Sequence, residues 1–348
     1  ETPFPIVAAM YRNKVVSLDR PLDRNGTLAP IHIGTRDGIL IYRRTLSFVL
    51  VRAVAELFPS MHVYINHSID RGYYSEIYDA KSATGDPIYL SEVDIQRIEA
   101  KMREIVDADE PIFRVDYTLG DAIKLFDEEG MNDKVELLKY STADSVSVYR
   151  CGNEVNHFYG QLAPSTGVVT KFEVRSVPPG LNLRFPRSSD PSSIAPATPQ
   201  PKIKEVLFEY EHWLKILNWR TVPQLNQLID EGRVREYVLI AEALHEKQIA
   251  RIADEMTHHP GNPRILLLSG PSASGKTTTT KRLAIQLRVN GFRPVVIELD
   301  NFFVDREKTP RDETGDYDFE AFEAINVDLL QDCVRRLMAG ERVRMPKF

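Results

Sequence analysis

Cysteine is scarce in this chain: Cys151 and Cys333 are the two in 348 residues, and they lie far apart. That excludes a disulfide framework and fits a reducing compartment. An excess of basic residues is also missing. Lys and Arg number 44 against 50 Asp and Glu, a net charge of −6. Such a balance argues against a generally adhesive nucleic-acid binder while leaving room for a local basic face. No apolar run approaches about 18 residues, so no membrane span is expected. The opening "ETPFPIVAAM" has no basic segment leading into a sustained apolar core, so no secretory signal is expected either, and a cytoplasmic location follows. The first residue is Glu1 rather than Met, which points to trimming or to an incomplete N-terminus. No internal repeat is present.

What is there is ordinary for a globular protein: 43% hydrophobic and 27% charged residues, enough chain for two or three domains. The clearest break is the Pro/Ser-rich run 185–205, read as an extended linker or a connection that hugs the surface. Before it the pattern is α+β. Residues 5–18 suggest a hairpin or two short strands. Leu46, Val49, Leu50, Ala53, Val54 and Leu57 have helical spacing over 44–59, stopped by Pro59. Ser91 and Asp94 form a capping box that opens a helix over 90–111. "GDAIKLFDEEG" and "DKVELLKY" suggest two shorter helices, and "SVSVYRC", "GVVTKFEV" and "LNLRFP" suggest strands. After the break, 203–219 and 236–256 are amphipathic helices. In the second, Tyr237, Ile240, Ala241, Leu244, Ile249, Ile252, Ala253 and Met256 form one stripe. "RILLLSG" (264–270) is a continuous apolar run of the kind expected for a strand buried on both faces.

Gly270, Gly275, Lys276 and Thr277 then satisfy G-x-x-x-x-G-K-[ST]. Glycines let backbone N–H groups turn inward around phosphate oxygens, and the following helix presents its positive end. The pattern assigns nucleotide binding to Gly270, Ser272, Ala273, Ser274, Gly275, Lys276, Thr277 and Thr278, with ATP as the nucleotide. Lys276 reaches the phosphates and the Thr277 hydroxyl ligates Mg²⁺. The alternative is a glycine-rich turn with a surface lysine, but the apolar run before the motif and the helix after it favour the phosphate loop. A second strand of parallel type, "PVVIEL", leads to Asp300. At the carboxyl end of such a strand, Asp300 is expected beside the loop, to ligate Mg²⁺ or accept a proton from an attacking hydroxyl. From spacing alone, a helix cap or a surface acid remains an open reading of Asp300.

The order loop, helix, strand, "LDNFFVDRE" and "GDYDFEAFEAIN" resembles the uridine kinase and phosphoribulokinase group of P-loop kinases. That resemblance implies a catalytic pair, Lys276 and Asp300, with Asp300 as base. It also implies two acceptor contacts, Phe303 as the aromatic one and Asp318 as the acid that holds ribose hydroxyls. The sequence departs from the family pattern at two points. Phe303 stands where uridine kinases usually have Tyr, and "YDFE" replaces the more usual "FDHP", so a uridine-type acceptor is the expectation while the resemblance leaves their pyrimidine preference open. Only about 80 residues follow the loop, whereas a complete kinase of this fold spans roughly 200. The chain is therefore expected to continue beyond "GERVRMPKF", or to be incomplete as given.

The front region, "YRRTLSFVLVRAVAELFPSMHVYINHSIDRGYYSEI", resembles the second N-terminal domain of threonyl-tRNA synthetases. Residues 5–40 are similar to the small β-grasp (TGS) module that precedes it there. In the synthetases that second domain hydrolyses mischarged tRNA with an H-x-x-x-H pair on its helix and a later Cys and His. Here the helix positions hold Arg44 and Phe48. Cys151 is retained, Val155 stands where the last His belongs, and His157 is offset by two residues. A group displaced that far along a strand no longer has proton-transfer geometry, so the editing chemistry is expected to be lost. His245, the "THHP" turn (257–260) and Cys333 read as a polar helix residue, a helix end and a core residue.

The expected architecture is multidomain. A β-grasp module (1–42) and an editing-domain-like α+β region (43–185) precede a linker (186–202), a helical connector (203–260) and the first part of a P-loop α/β parallel-sheet kinase domain (261–348). The expected activity is transfer of the γ-phosphoryl group of ATP, with Mg²⁺, to a hydroxyl of a nucleoside-like small molecule. Two other readings stay open. One is an RNA- or tRNA-binding factor whose P-loop is a nucleotide switch; the other is a scaffold that binds nucleotide without turnover.

Overall fold

A computed structural model describes residues 4–79, 86–271, 273–311, 315–319 and 321–347. The chain divides into two compact units, residues 1–231 and 232–348.

The first unit begins with strands β1 (Ile6–Tyr11) and β2 (Lys14–Val16), an antiparallel hairpin in which Tyr11 faces Lys14. Arg12 and Asn13 turn it with φ of 51° and 61°, the left-handed pair that matches strand twist. β3 (Leu28–His32) joins the other side of β1, giving the order β2-β1-β3. Helix α1 (Arg36–Leu57) follows at once, its first turn capped by Thr35, whose hydroxyl accepts from the Gly38 N–H at 3.0 Å. A Cβ at Gly38 would stand 2.0 Å from the His32 carbonyl oxygen, so the strand-to-helix corner requires glycine there. The helix starts eight residues earlier than the apolar spacing from residue 44 suggests, because this cap sets its origin.

Next come β4 (Met61–Ile69), β5 (Gly72–Asp79), α2 (Glu92–Asp107), β6 (Phe113–Thr118), α3 (Leu119–Glu128), α4 (Asn132–Leu138), β7 (Ser145–Cys151), β8 (Glu154–His157), β9 (Glu173–Val177) and β10 (Gly180–Arg184). They form two antiparallel sheets, β4-β5-β10-β9 and β6-β7-β8. The expected capping box is present at α2: the Ser91 hydroxyl accepts from Asp94 N–H while the Asp94 carboxylate accepts from Ser91 N–H. Of "GVVTKFEV", only the last part is strand; Thr166–Val168 form a 3-10 turn instead. The inner face of α1, with Leu46, Val49, Leu50 and Ala53, packs with Ile98 and Met102 of α2 and Leu181 and Leu183 of β10 as the main core. A smaller core lies under α3 and α4, around Phe126, Val148 and Val155.

The Pro/Ser-rich connection follows the surface of this unit. The Arg184 side chain, 2% exposed, donates to the Ala195 carbonyl at 2.5 Å and to Glu173 at 2.6 Å. Thr198 N–H donates to Asp70 at 2.6 Å, and Pro191 is buried. Helices α5 (Pro201–Leu217) and α6 (Val222–Asp230) complete the unit; α6 has no counterpart in the apolar periodicity of the sequence. A buried polar network fixes α5 to the sheet. Glu76 on β5 accepts from Tyr74 at 2.9 Å, from Asn66 at 3.0 Å and from Tyr78. Arg220 reaches Glu211 at 3.1 Å and Glu76 at 3.4 Å.

The second unit carries α7 (Val234–Thr257), α8 (Lys276–Val289) and α9 (Val327–Met338), with 3-10 turns at Leu299–Phe302, Arg306–Lys308 and Phe322–Ala324. On α7, Ile249 and Ala253 of the expected stripe are buried, while Ile252 is exposed. Cys333 is buried as expected. The expected parallel strands are not borne out among the described residues. Neither 264–270 nor 292–298 joins a ladder, and Leu267 is 85% exposed. A strand buried on both faces exists only where neighbouring strands and covering helices complete it. Apolar composition alone does not supply those neighbours. Among the described residues, no helix is long and apolar enough to cross a membrane.

Candidate functional site

The phosphate-loop motif adopts a closed turn at the start of α8. Gly270 ends the extended run, and a Cβ there would meet the Ser274 hydroxyl at 2.9 Å. Ala273 (φ 59°) and Gly275 (φ 83°) take left-handed backbone conformations, which turn successive N–H groups toward one side. Ser272 lies outside the described residues. Ser274 N–H donates to the Pro271 carbonyl at 3.3 Å, and the Lys276 ammonium folds back to the Gly270 and Pro271 carbonyls at 2.7 and 2.8 Å. The helix ladder begins with Thr279 N–H donating to Gly275 at 2.9 Å, and no side chain caps the helix. The N–H groups at the start of α8 are therefore left over by the helix itself. Thr277 and Thr278 are exposed. Preceding turn, uncapped helix start, ammonium and hydroxyls make a donor set that fits a polyphosphate and its Mg²⁺ ion.

Asp300 sits in the 3-10 turn after the second extended run. Its carboxylate is exposed and, among the described residues, makes no hydrogen bond or ion pair. Lys281 of α8 shares a cavity of about 420 Å³ with Glu298, Asn301 and Phe302, so the segment bearing Asp300 lies alongside the loop's helix. Phe303 lines a second cavity of about 490 Å³, with Phe322, Asp305, Lys308 and Asp328 among its walls. Its ring stands 5.7 Å from that of Phe319, next to Asp318. Asp318 accepts from Ala321 N–H at 3.2 Å, and its own N–H donates to Pro310 at 2.8 Å. The structure thus gathers Phe303 and the Asp318 segment. Within the described residues, no hydrogen bond or ion pair joins Asp300 to Lys276, Thr277 or Thr278.

In the first unit, the positions corresponding to the histidine pair are filled. Phe48 is 1% exposed and packs with Ile112, Tyr149, Cys151 and Leu162, its ring 5.5 Å from Phe158. Arg44 donates to the Gln161 carbonyl at 3.4 Å. Arg52, one helical turn further on, is buried. It donates to Cys151 Sγ at 3.1 Å, to both oxygens of Glu110 at 2.8 and 2.9 Å, and to Glu56 at 2.7 Å. Burial pushes the Cys151 thiol up, with Arg52 opposing. Val155 packs in the other core, under α3 and α4, and His157 Nδ1 pairs with the Ser147 carbonyl of its own sheet at 2.8 Å. Sequence reasoning missed Arg52 and its carboxylate partners. The signal available was the i, i+4, i+8 series Arg44, Phe48, Arg52 on one helix face.

Comparison with known proteins divides along the same lines. Residues 265–348 match the model of the Phosphoribulokinase / Uridine kinase family. The matched residues include the loop motif, with Asp300, Phe303 and Asp318. The N-terminal half of the chain is similar to threonine–tRNA ligases. That of Syntrophotalea carbinolica is 34% identical over 172 residues, 49% of this chain and 26% of the ligase. The Aquifex aeolicus ligase is 29% identical over 174 residues, 49% and 26%. The Nitratidesulfovibrio vulgaris ligase (strain Miyazaki F) is 34% identical over 151 residues, 43% and 22%. The chain spans about a quarter of the length of these relatives, and the kinase-family segment lies beyond the half that resembles them.

Proposed function

We propose that the protein is an ATP-dependent phosphotransferase acting on a hydroxyl of a nucleoside-like small molecule. The observation that carries this reading is the loop itself: Lys276 drawn over the Gly270 and Pro271 carbonyls at an uncapped helix start, within a segment that matches a kinase family. In this reading Lys276 and the loop N–H groups hold the phosphates of ATP. Thr277 and Asp300 would hold Mg²⁺, which would neutralise phosphate charge when bound. Asp300 orients the acceptor hydroxyl and takes its proton, and Phe303 and Asp318 position the acceptor. Catalysis is then mainly positioning and charge stabilisation. Asp305, Glu323 and Asp328 outnumber Lys308 around the Phe303 cavity, and Lys308 is itself 3.3 Å from Asp305. That balance favours an uncharged acceptor over a phosphorylated one.

The test is phosphoryl transfer across a panel of nucleosides and sugars, with calorimetry for ATP–Mg²⁺. Lys276→Ala should lower ATP affinity by at least roughly tenfold and abolish transfer. Transfer that survives the substitution would remove the loop assignment. The similarity to threonine–tRNA ligases favours a second reading, a tRNA-binding factor in which the loop is a nucleotide switch. Filter binding with tRNA across a salt series decides it. Affinity that falls with salt supports phosphate contacts, and no binding at low salt excludes them.

A further inference from the structure

Helix α7 precedes the kinase-family segment, yet it is the helix against which the loop's own helix is packed. Ile249 and Ala253 of α7 meet Leu283 and Leu287 of α8 in one small core, with Ala253 0% exposed. Polar pairs flank this seam along its length. Gln286 donates to Glu246 at 2.6 Å, the Arg282 guanidinium lies 3.6 Å from the other Glu246 oxygen, and Arg282 also reaches His245 at 3.3 Å. Further on, Asn290 donates to Asp254 at 2.9 Å. Contacts advance in the same direction on both helices, from 246 with 282 and 286 to 254 with 290, which fixes their register as well as their proximity. The residues that α8 buries are Leu283 and Ala284. A helix with so little burial takes its placement from the few groups that hold it. The start of α8 is the phosphate loop, so those groups also place the loop's N–H groups and Lys276.

We infer that α7 is a positioning element for the phosphate loop, with Glu246 and Ala253 acting through α8 on nucleotide affinity. The inference rests on the nucleotide reading given above. Its mechanism is registry: a shift of α8 along α7 moves the uncapped helix start relative to the turn Gly270–Gly275, and donors misplaced in this way hold a polyphosphate less well. In this inference the α7 residues act through α8 and not by touching the nucleotide.

The experiment measures ATP–Mg²⁺ dissociation constants by calorimetry on the full chain, far below its unfolding temperature, for a charge-exchange set. Glu246→Arg places a cation beside Arg282 and should weaken binding about two- to fivefold, the scale of an exposed ion pair. Arg282→Glu should do the same, and the double variant Glu246→Arg/Arg282→Glu should recover most of the loss. Glu246 and Arg282 are only partly exposed and pair across a helix surface, so circular dichroism should be unchanged and the unfolding midpoint without nucleotide should fall only slightly. Ala253→Leu, which forces the seam apart, should weaken binding more than either charge change. Equal dissociation constants in all four variants, with ATP bound by the unsubstituted chain, overturn the role of α7. Recovery absent from the double variant overturns it as well. Failure of the unsubstituted chain to bind ATP overturns the nucleotide reading, and this inference with it.

Discussion

Glu154 shows how a single side chain can report on its surroundings. Burial pushes its carboxyl up to about 7, Glu129 and Glu56 add to the effect, and Arg52 opposes it. In the unfolded chain the same group titrates near its ordinary 4.5. The folded state therefore prefers the protonated form. The resulting stabilisation is complete below the ordinary value and is lost as pH rises through about 7. Thermal unfolding should show a midpoint that declines between about pH 5 and about pH 8, and Glu154→Gln, which mimics the protonated group, should flatten that decline. A variant with the same slope as the unsubstituted chain would place the titration elsewhere. Cys151, in the neighbouring strand, is held the same way: buried, and fixed by a guanidinium that two carboxylates already share.

At the scale of elements, the buried network between β5 and the end of α5 has the largest expected consequence. Arg220→Ala leaves Glu76 and Glu211 without their shared cation, and Glu76 is buried, so the cost should be about 3 kcal/mol in a denaturant melt. A loss near zero would mean that Asn66, Tyr74 and Tyr78 satisfy Glu76 alone. This network was hidden in the sequence because its members are up to 154 residues apart, Asn66 to Arg220, and no local pattern links them. Local signals fared better. The α2 capping box was legible because both partners lie within one turn, and the turn before α8 because Gly275 answers a local backbone need. The run 264–270 marks the opposite limit. Its apolar residues advertise a strand, but a ladder is a property of neighbours, and among the described residues none pairs with it. The short helix α6 is too brief to show an apolar period, and the capping box of Thr221 and Gln224 is the local signal of its start.

The whole molecule consists of two compact units with different resemblances, and their responses to ligand should differ accordingly. ATP–Mg²⁺ binds within residues 232–348 in the proposed reading, and a ligand stabilises the unit that holds it. Calorimetry of the full chain should show two transitions. Saturating nucleotide, at about 100 times the dissociation constant, should raise one by about 2.7 kcal/mol of added stability and leave the other in place. A single transition that moves as one would show that the units unfold together. Composition and structure also part company over where the first unit stops. The proline-rich run looks like a place to divide the chain, yet its Ala195 carbonyl completes the shell of Arg184, and Arg220 beyond it, shared with Glu211, completes that of Glu76. Anyone cloning the synthetase-like half by itself would do badly to stop at Phe185. Such a fragment would leave two buried charged side chains without part of their partners, and it should be less stable than the longer unit. A stop codon after Glu231 keeps both partners in the same open reading frame.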